Sequence, residues 1–254
     1  MSKLFGGHIV AKYLKEVEQV EVVFSLSGGH IDRIYDGFLE YGVKLIDVRH
    51  EQSAAMMAHA WTLYNGNPGV CLVTAGPGFT NALTGVVNAS QENAPVVIIS
   101  GASPIKDKGL GALQEINQTD MIKSTVKWSA TCFDVKRIPE YLSTAFRQAV
   151  SGRPGPVFLE LPPDILNVAS EEAGINWPTR GGITPKPGPD PALIRPAAEL
   201  INNSERPFII AGSGVGASAC DAELAAFIEQ TGIPFALINT ARGMLPDDHP
   251  MSLW

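Results

Sequence analysis

The sequence predicts an α/β protein: a parallel sheet with helices on both faces, followed by an incomplete second α/β unit. Three observations carry this. Apolar runs of strand length recur at Val22–Leu26, Lys44–Val48, Val70–Thr74, Val96–Ser100 and Pro156–Leu161. Between most of them lie segments with apolar residues at helical spacing. The runs themselves lack polar alternation, so both faces of the sheet must be covered.

Taken in order, a helix is expected from about His8 to Glu18, where Ile9, Val10, Tyr13, Leu14 and Val17 share one face. After the Val22 strand, a helix from Ile31 to Tyr41 stops at Gly42, a C′ residue able to take the left-handed conformation. The Lys44 strand runs into an uncharged Ala/Met helix from Glu51 to about Tyr64, expected to be buried. Asn65-Gly66-Asn67-Pro68-Gly69 breaks it. The Val70 strand, a helix from Thr80 to Gln91 and the Val96 strand follow. A loop from Gly101 to Leu113, an extended piece from Val126 to Phe133, a helix from Ile138 to Ser151 and the Pro156 strand close a first domain at residue 167. Residues 168–189, rich in Pro, Gly and charge, read as a linker. The second domain, 190–254, offers helix Pro191–Asn202, strand Phe208–Ala211, helix Ala217–Thr231 and strand Phe235–Ile238. Two strands do not make an independently stable sheet, so the chain is expected to be part of something longer.

Composition excludes several classes. The 254 residues carry a net charge of -7, which argues against nucleic acid or an anionic membrane as partner. The three cysteines, Cys71, Cys132 and Cys220, have neither disulfide-framework nor metal spacing and fit a reducing cytoplasm. The N-terminus lacks the continuous apolar core of a signal peptide, and the apolar runs are too short to span a bilayer.

Four loops fall at the carboxyl ends of strands: Ser27-Gly28-Gly29-His30, Arg49-His50-Glu51-Gln52, Ala75-Gly76-Pro77-Gly78 and Gly101-Ala102-Ser103. Open α/β sheets bind ligands at such ends. Glu51 is either a solvated first-turn acid favoured by the helix dipole or a desolvated acid. His30 follows Gly-Gly and has the strongest claim among the histidines to face a cleft, beside the alternative of simple packing. His50 can cap the helix or pack beside Glu51, and His59 reads as a core residue. Gly212-Ser213-Gly214-Val215-Gly216 resembles a dinucleotide turn of a Rossmann-like unit, without the full spacing and with Asn239 where an acid would stand.

The stretches RHEQSAAMMAHAW, VCLVTAGPGFTNALTGVVNA, GALQE and SGRPGPVFLELPPDIL resemble the N-terminal pyrimidine-binding domain of thiamine-diphosphate-dependent enzymes. The similarity is to the acetolactate synthase, benzaldehyde lyase and 2-hydroxyacyl-CoA lyase group, and extends into that group's central domain. The resemblance implies thiamine diphosphate as cofactor and Glu51 as the acid that activates it through the pyrimidine ring. A carboxyl in that role must be buried and able to share a proton. It implies that Pro77, Gly78 and Asn81 border the aminopyrimidine, while Gly28, Gly29, His30 and Gln114 face the reacting substrate. Arg153 matches a position that contacts flavin (FAD) in acetolactate synthases; a helix-end cation is the equal alternative. Magnesium and the diphosphate are held, in such enzymes, by a C-terminal domain, and the cofactor lies between subunits of a homo-oligomer, dimer or tetramer. This sequence departs from acetolactate synthases in Ser27-Gly28-Gly29-His30 and Leu113-Gln114, which look more like the benzaldehyde lyase and hydroxyacyl-lyase branch. The implied function is making or breaking carbon-carbon bonds in 2-keto acids, aldehydes or 2-hydroxyacyl thioesters. Two rival readings are a non-catalytic α/β binding or regulatory module and a nucleotide-binding protein using Gly212–Gly216.

Overall fold

The apolar runs become a six-stranded parallel sheet in the computed structural model, which describes residues 3–253. The chain opens with β1 (Lys3–Phe5) and α1 (Gly6–Lys12), which widens into one π-turn, Tyr13–Val17. Next come β2 (Val22–Ser25), α2 (Asp32–Tyr41), β3 (Lys44–Asp47), α3 (Glu51–Asn65), β4 (Gly69–Val73), α4 (Pro77–Gln91) and β5 (Val96–Gly101). Then follow α5 (Gln118–Ile122), β6 (Ser129–Thr131), α6 (Ile138–Val150), β7 (Val157–Leu161), the one-turn α7 (Pro163–Leu166) and β8 (Ala169–Glu171). The sheet order is β3-β2-β4-β5-β7-β6.

Strand periodicity sorts the side chains to two cores. Val70 and Leu72 of β4 face Ile9, Leu14, Ile34 and Phe146 from α1, the π-turn, α2 and α6. Cys71 and Val73 face Ala54, Ala55 and Ala58 of α3 and Phe79, Ala82 and Val86 of α4. The Ala content of α3 has a packing cause: a Cβ on Gly85 of α4 would lie 2.6 Å from the Ala55 Cβ, so the two helices touch through their smallest residues. Phe79 meets Phe158 edge-on at 5.2 Å, an aromatic pair contributing about 0.5–1.5 kcal/mol beyond its burial. Gly42 and Gly66 end α2 and α3 at φ 68° and 70°.

The structure revises three expectations. Helix α3 is only half buried: Met56, Met57, Leu63 and Tyr64 are exposed, because the core takes only its Ala54, Ala55, Ala58 and Thr62 side. The segment read as a linker, 168–189, is divided. Up to Thr184 it belongs to the first compact unit; the second begins at Pro185. The reason is a set of bonds that Pro/Gly content conceals. β8 pairs antiparallel with β1, Ile175 enters the core, and the Glu18 carboxylate accepts from the Gly181 and Gly182 N–H groups at 2.7 and 3.0 Å. Helix 217–231 is two helices, α9 (Ser213–Ser218) and α10 (Asp221–Thr231), separated by Ala219 at φ 49°.

In the second unit, α8 (Pro191–Asn202) precedes β9 (Ile209–Ala211), and β9 pairs in parallel with β10 (Phe235–Leu237), which follows α10. Ala211, Ile228, Phe235 and Leu237 form its small core. Among the described residues no helix is long and apolar enough to cross a membrane.

Candidate active site

Glu51 is the first residue of α3. His50 precedes it in extended conformation and accepts a hydrogen bond from the Gln52 N–H through Nδ1, the cap that the sequence suggested. The Glu51 side chain is 6 % exposed. Its Oε2 accepts from Asn81 Nδ2 at 2.9 Å. A Cβ at Gly78 would lie 3.3 Å from Oε1 and 2.6 Å from Thr74 Cγ2, so the space beside that oxygen exists because residue 78 lacks a side chain. Substituting Gly78 by Ala is expected to destabilise the chain by about 1–3 kcal/mol, the cost of overpacking, readable as a lower thermal midpoint.

Glu51, Gly28, Gly29, His30, Pro77, Gly78 and Gln114 line one cleft of about 810 Å³ at the carboxyl ends of β2, β3 and β4. Asn81 joins it through Glu51. The fourth loop contributes from behind: a Cβ at Gly101 would lie 2.6 Å from the His30 Cβ. Gln114 reaches the cleft from the long loop after β5, at φ 59°, with its Oε1 buried and unpartnered among the described residues. That loop is fastened by the next residue. The Glu115 carboxylate accepts from the N–H groups of Gly109, Gly111 and Ala112, and the Gly109 bond leads in holding its pKa below the usual carboxylate value.

Two participants escaped the sequence reading. Thr74, 8 % exposed, sits beneath both glycine turns, with its Oγ1 3.2 Å from His30 Nδ1. The visible signal was a lone hydroxyl closing an otherwise apolar strand. Gln118, 2 % exposed, accepts from the Gly76 N–H at 2.7 Å and donates to the Gly101 carbonyl at 2.9 Å and Glu160 Oε1 at 2.8 Å. It therefore ties the Gly76–Gly78 turn to the middle of the sheet. Gly76 itself stands at φ 59°, ψ -111°, a backbone state suited to glycine. Nothing in the local pattern around Gln118 announced this role.

Arg153 lies elsewhere. Its loop precedes β7, at the amino-end edge of the sheet, where its guanidinium donates to the Asn93 side chain. The structure does not bring it together with Glu51. His59 is a core residue whose Nδ1 accepts from Asn88 Nδ2 at 3.1 Å. Burial is the first cause lowering the pKa of both His30 and His59. With folded values below the unfolded one of about 6.5, the unfolded chain binds protons first as pH falls. Stability contributed by these rings is therefore lost below about pH 6.5. Urea midpoints measured near pH 7 and pH 5 should fall with pH, and fall less in His59→Gln.

Residues 5–121 match the thiamine pyrophosphate enzyme N-terminal TPP binding domain, and residues 194–254 match the thiamine pyrophosphate enzyme central domain. The chain belongs to the thiamine pyrophosphate enzyme family. It is 35 % identical over 252 residues to a probable acetolactate synthase of Mycobacterium bovis, covering 98 % of this chain and 45 % of that protein. It is 34 % identical over 285 residues to 2-hydroxyacyl-CoA lyase 2 of Caenorhabditis elegans, covering 99 % and 44 %. With human 2-hydroxyacyl-CoA lyase 1 it shares 31 % identity over 245 residues, covering 96 % and 42 %. The chain thus spans less than half the length of the curated relatives it matches. The family's cofactor fits the residues present: Gly78 leaves room beside Glu51 Oε1, and Asn81 occupies the other oxygen.

Proposed function

We propose that the protein to which this chain belongs is a thiamine-diphosphate-dependent enzyme that makes or breaks a carbon-carbon bond next to a carbonyl. One observation carries the reading: a buried carboxylate with one oxygen held by Asn81 and the other beside a space that only glycine at residue 78 permits. When bound, the cofactor supplies an electron sink for carbanion chemistry. This chain's residues would do the rest. Glu51 would share a proton with a ring nitrogen of the cofactor's pyrimidine. Pro77 and Gly78 would border that ring, and Asn81 would keep the carboxylate in place. His30 and the orphaned Gln114 Oε1 would meet the substrate, the latter as an acceptor for a hydroxyl.

The histidine and glutamine at one cleft favour 2-hydroxyacyl thioesters or aldehydes over 2-keto acids as substrates, since both side chains suit protons of an alcohol. We assign magnesium and the diphosphate to a further domain of the whole protein. A flavin contacting Arg153 would sit at the amino-end edge of the sheet, away from Glu51 and outside the cleft's proton chemistry. The apolar exposed face of α3, with Met56, Met57 and Leu63, supports a homo-oligomer, and the cysteine usage supports a cytoplasmic site.

The test is the full-length protein with thiamine diphosphate and magnesium, offered a 2-hydroxyacyl thioester, an aromatic aldehyde and pyruvate in parallel. Cleavage of the thioester or ligation of the aldehyde is the expected result. Turnover of pyruvate alone would overturn the substrate assignment, and no turnover of any of the three would overturn the function.

A further inference from the structure

Thr74 stands where the two glycine turns converge. A Cβ on Gly28 would lie 2.4 Å from its Cβ, and one on Gly78 would lie 2.6 Å from its Cγ2. Among the described residues its hydroxyl has a single hydrogen-bond partner, the His30 Nδ1 at 3.2 Å. Both residues are buried, at 8 % and 9 % exposure. The pair admits two arrangements. If Nδ1 carried the proton and the hydroxyl accepted it, the Thr74 O–H, 8 % exposed at the floor of the cleft, would have no acceptor among the described residues, which is unfavourable. If the hydroxyl donates to an unprotonated Nδ1, both groups are satisfied. The ring proton then resides on Nε2, and the Leu113 backbone, which hydrogen-bonds the ring on the cleft wall, is an acceptor for it.

We infer that Thr74 is a positioning residue that fixes His30 as the Nε2–H tautomer, so that the imidazole holds its proton on the side of the Leu113 cleft wall, where a substrate oxygen can replace the backbone as its acceptor. His30 would then give a proton to a developing alkoxide or carbonyl oxygen before it could take one. This deepens, and for its catalytic meaning rests on, the assignment of His30 to the substrate side of the cleft. The tautomer itself stands apart from that assignment. The two methyl-sized contacts and the hydroxyl are also separable: Val keeps the branched shape under Gly28 and Gly78, whereas Ser keeps the O–H.

The experiment is long-range proton-nitrogen NMR on the full-length protein labelled with 15N-histidine, at about pH 8, where unperturbed histidines are neutral. The His30 resonances are assigned as those lost in His30→Gln. The expected wild-type pattern for His30 is a protonated Nε2 and an unprotonated Nδ1. Thr74→Val should move the Nδ1 resonance toward the protonated range as the two tautomers mix, and Thr74→Ser should restore the wild-type position. A wild-type His30 protonated on Nδ1 overturns the proposal, whatever the variants do. An Nδ1 resonance unmoved in Thr74→Val, with the other histidines at their wild-type positions, overturns it as well. Failure of the full-length protein to turn over any substrate would sink the functional reading and leave this tautomer measurement intact.

Discussion

Glu51→Gln in the full-length protein is expected to lower kcat by about 10²–10⁴-fold, the range associated with loss of a positioned acid-base group. The substitution is close to isosteric. A glutamine whose carbonyl takes the Oε2 position still accepts from Asn81 Nδ2, so the helix entry and the cleft wall stay in place. What disappears is a group able to hold or release a proton next to Gly78. Stability should therefore change by no more than about 1 kcal/mol, as for substitutions that leave packing and partners intact. Steady-state kinetics together with a thermal melt separate the two effects. Turnover near the wild-type value in Glu51→Gln would remove Glu51 from the mechanism.

Gln118→Leu is expected to destabilise the first unit by about 3–5 kcal/mol, because it removes one partner from several buried polar groups at once. Leucine approximates the shape and supplies no hydrogen bond. The Gly76 N–H, the Gly101 carbonyl and Glu160 Oε1 would lose a partner together, while Glu160 Oε2 keeps Thr131 Oγ1 at 2.7 Å. A loss of that size corresponds to a midpoint lowered on the order of 10 °C in a chain this long. A midpoint within 2 °C of wild type, roughly 1 kcal/mol or less, would show that the network carries little of the stability.

The sheet was legible because its strands are buried on both faces and so are written as unbroken apolar runs, and because Gly42 and Gly66 mark their helix ends chemically. Convergence of Gly28, His30, Glu51 and Gly78 followed from the rule that strand carboxyl ends share one edge. Other features left no local trace. The bonds from Gly181 and Gly182 to Glu18 span 163 and 164 residues, and no window of sequence contains both ends. The same holds for Gln118 and Gly76, 42 residues apart. The exposure of Met56 and Met57 was missed for a different reason. Hydrophobicity says that a face seeks cover, and within this chain the available core covers only the alanine side of α3.

The pairing of Lys3–Phe5 with Ala169–Glu171 also sets an order in time. At the usual synthesis rate of about 5–20 residues per second, β1 waits on the order of 10–30 s after its own synthesis before its partner β8 has been made. Over that interval the central strands and their helices can assemble without it. The earliest residues of the unit are thus among the last to find their place, and they close it like a clasp.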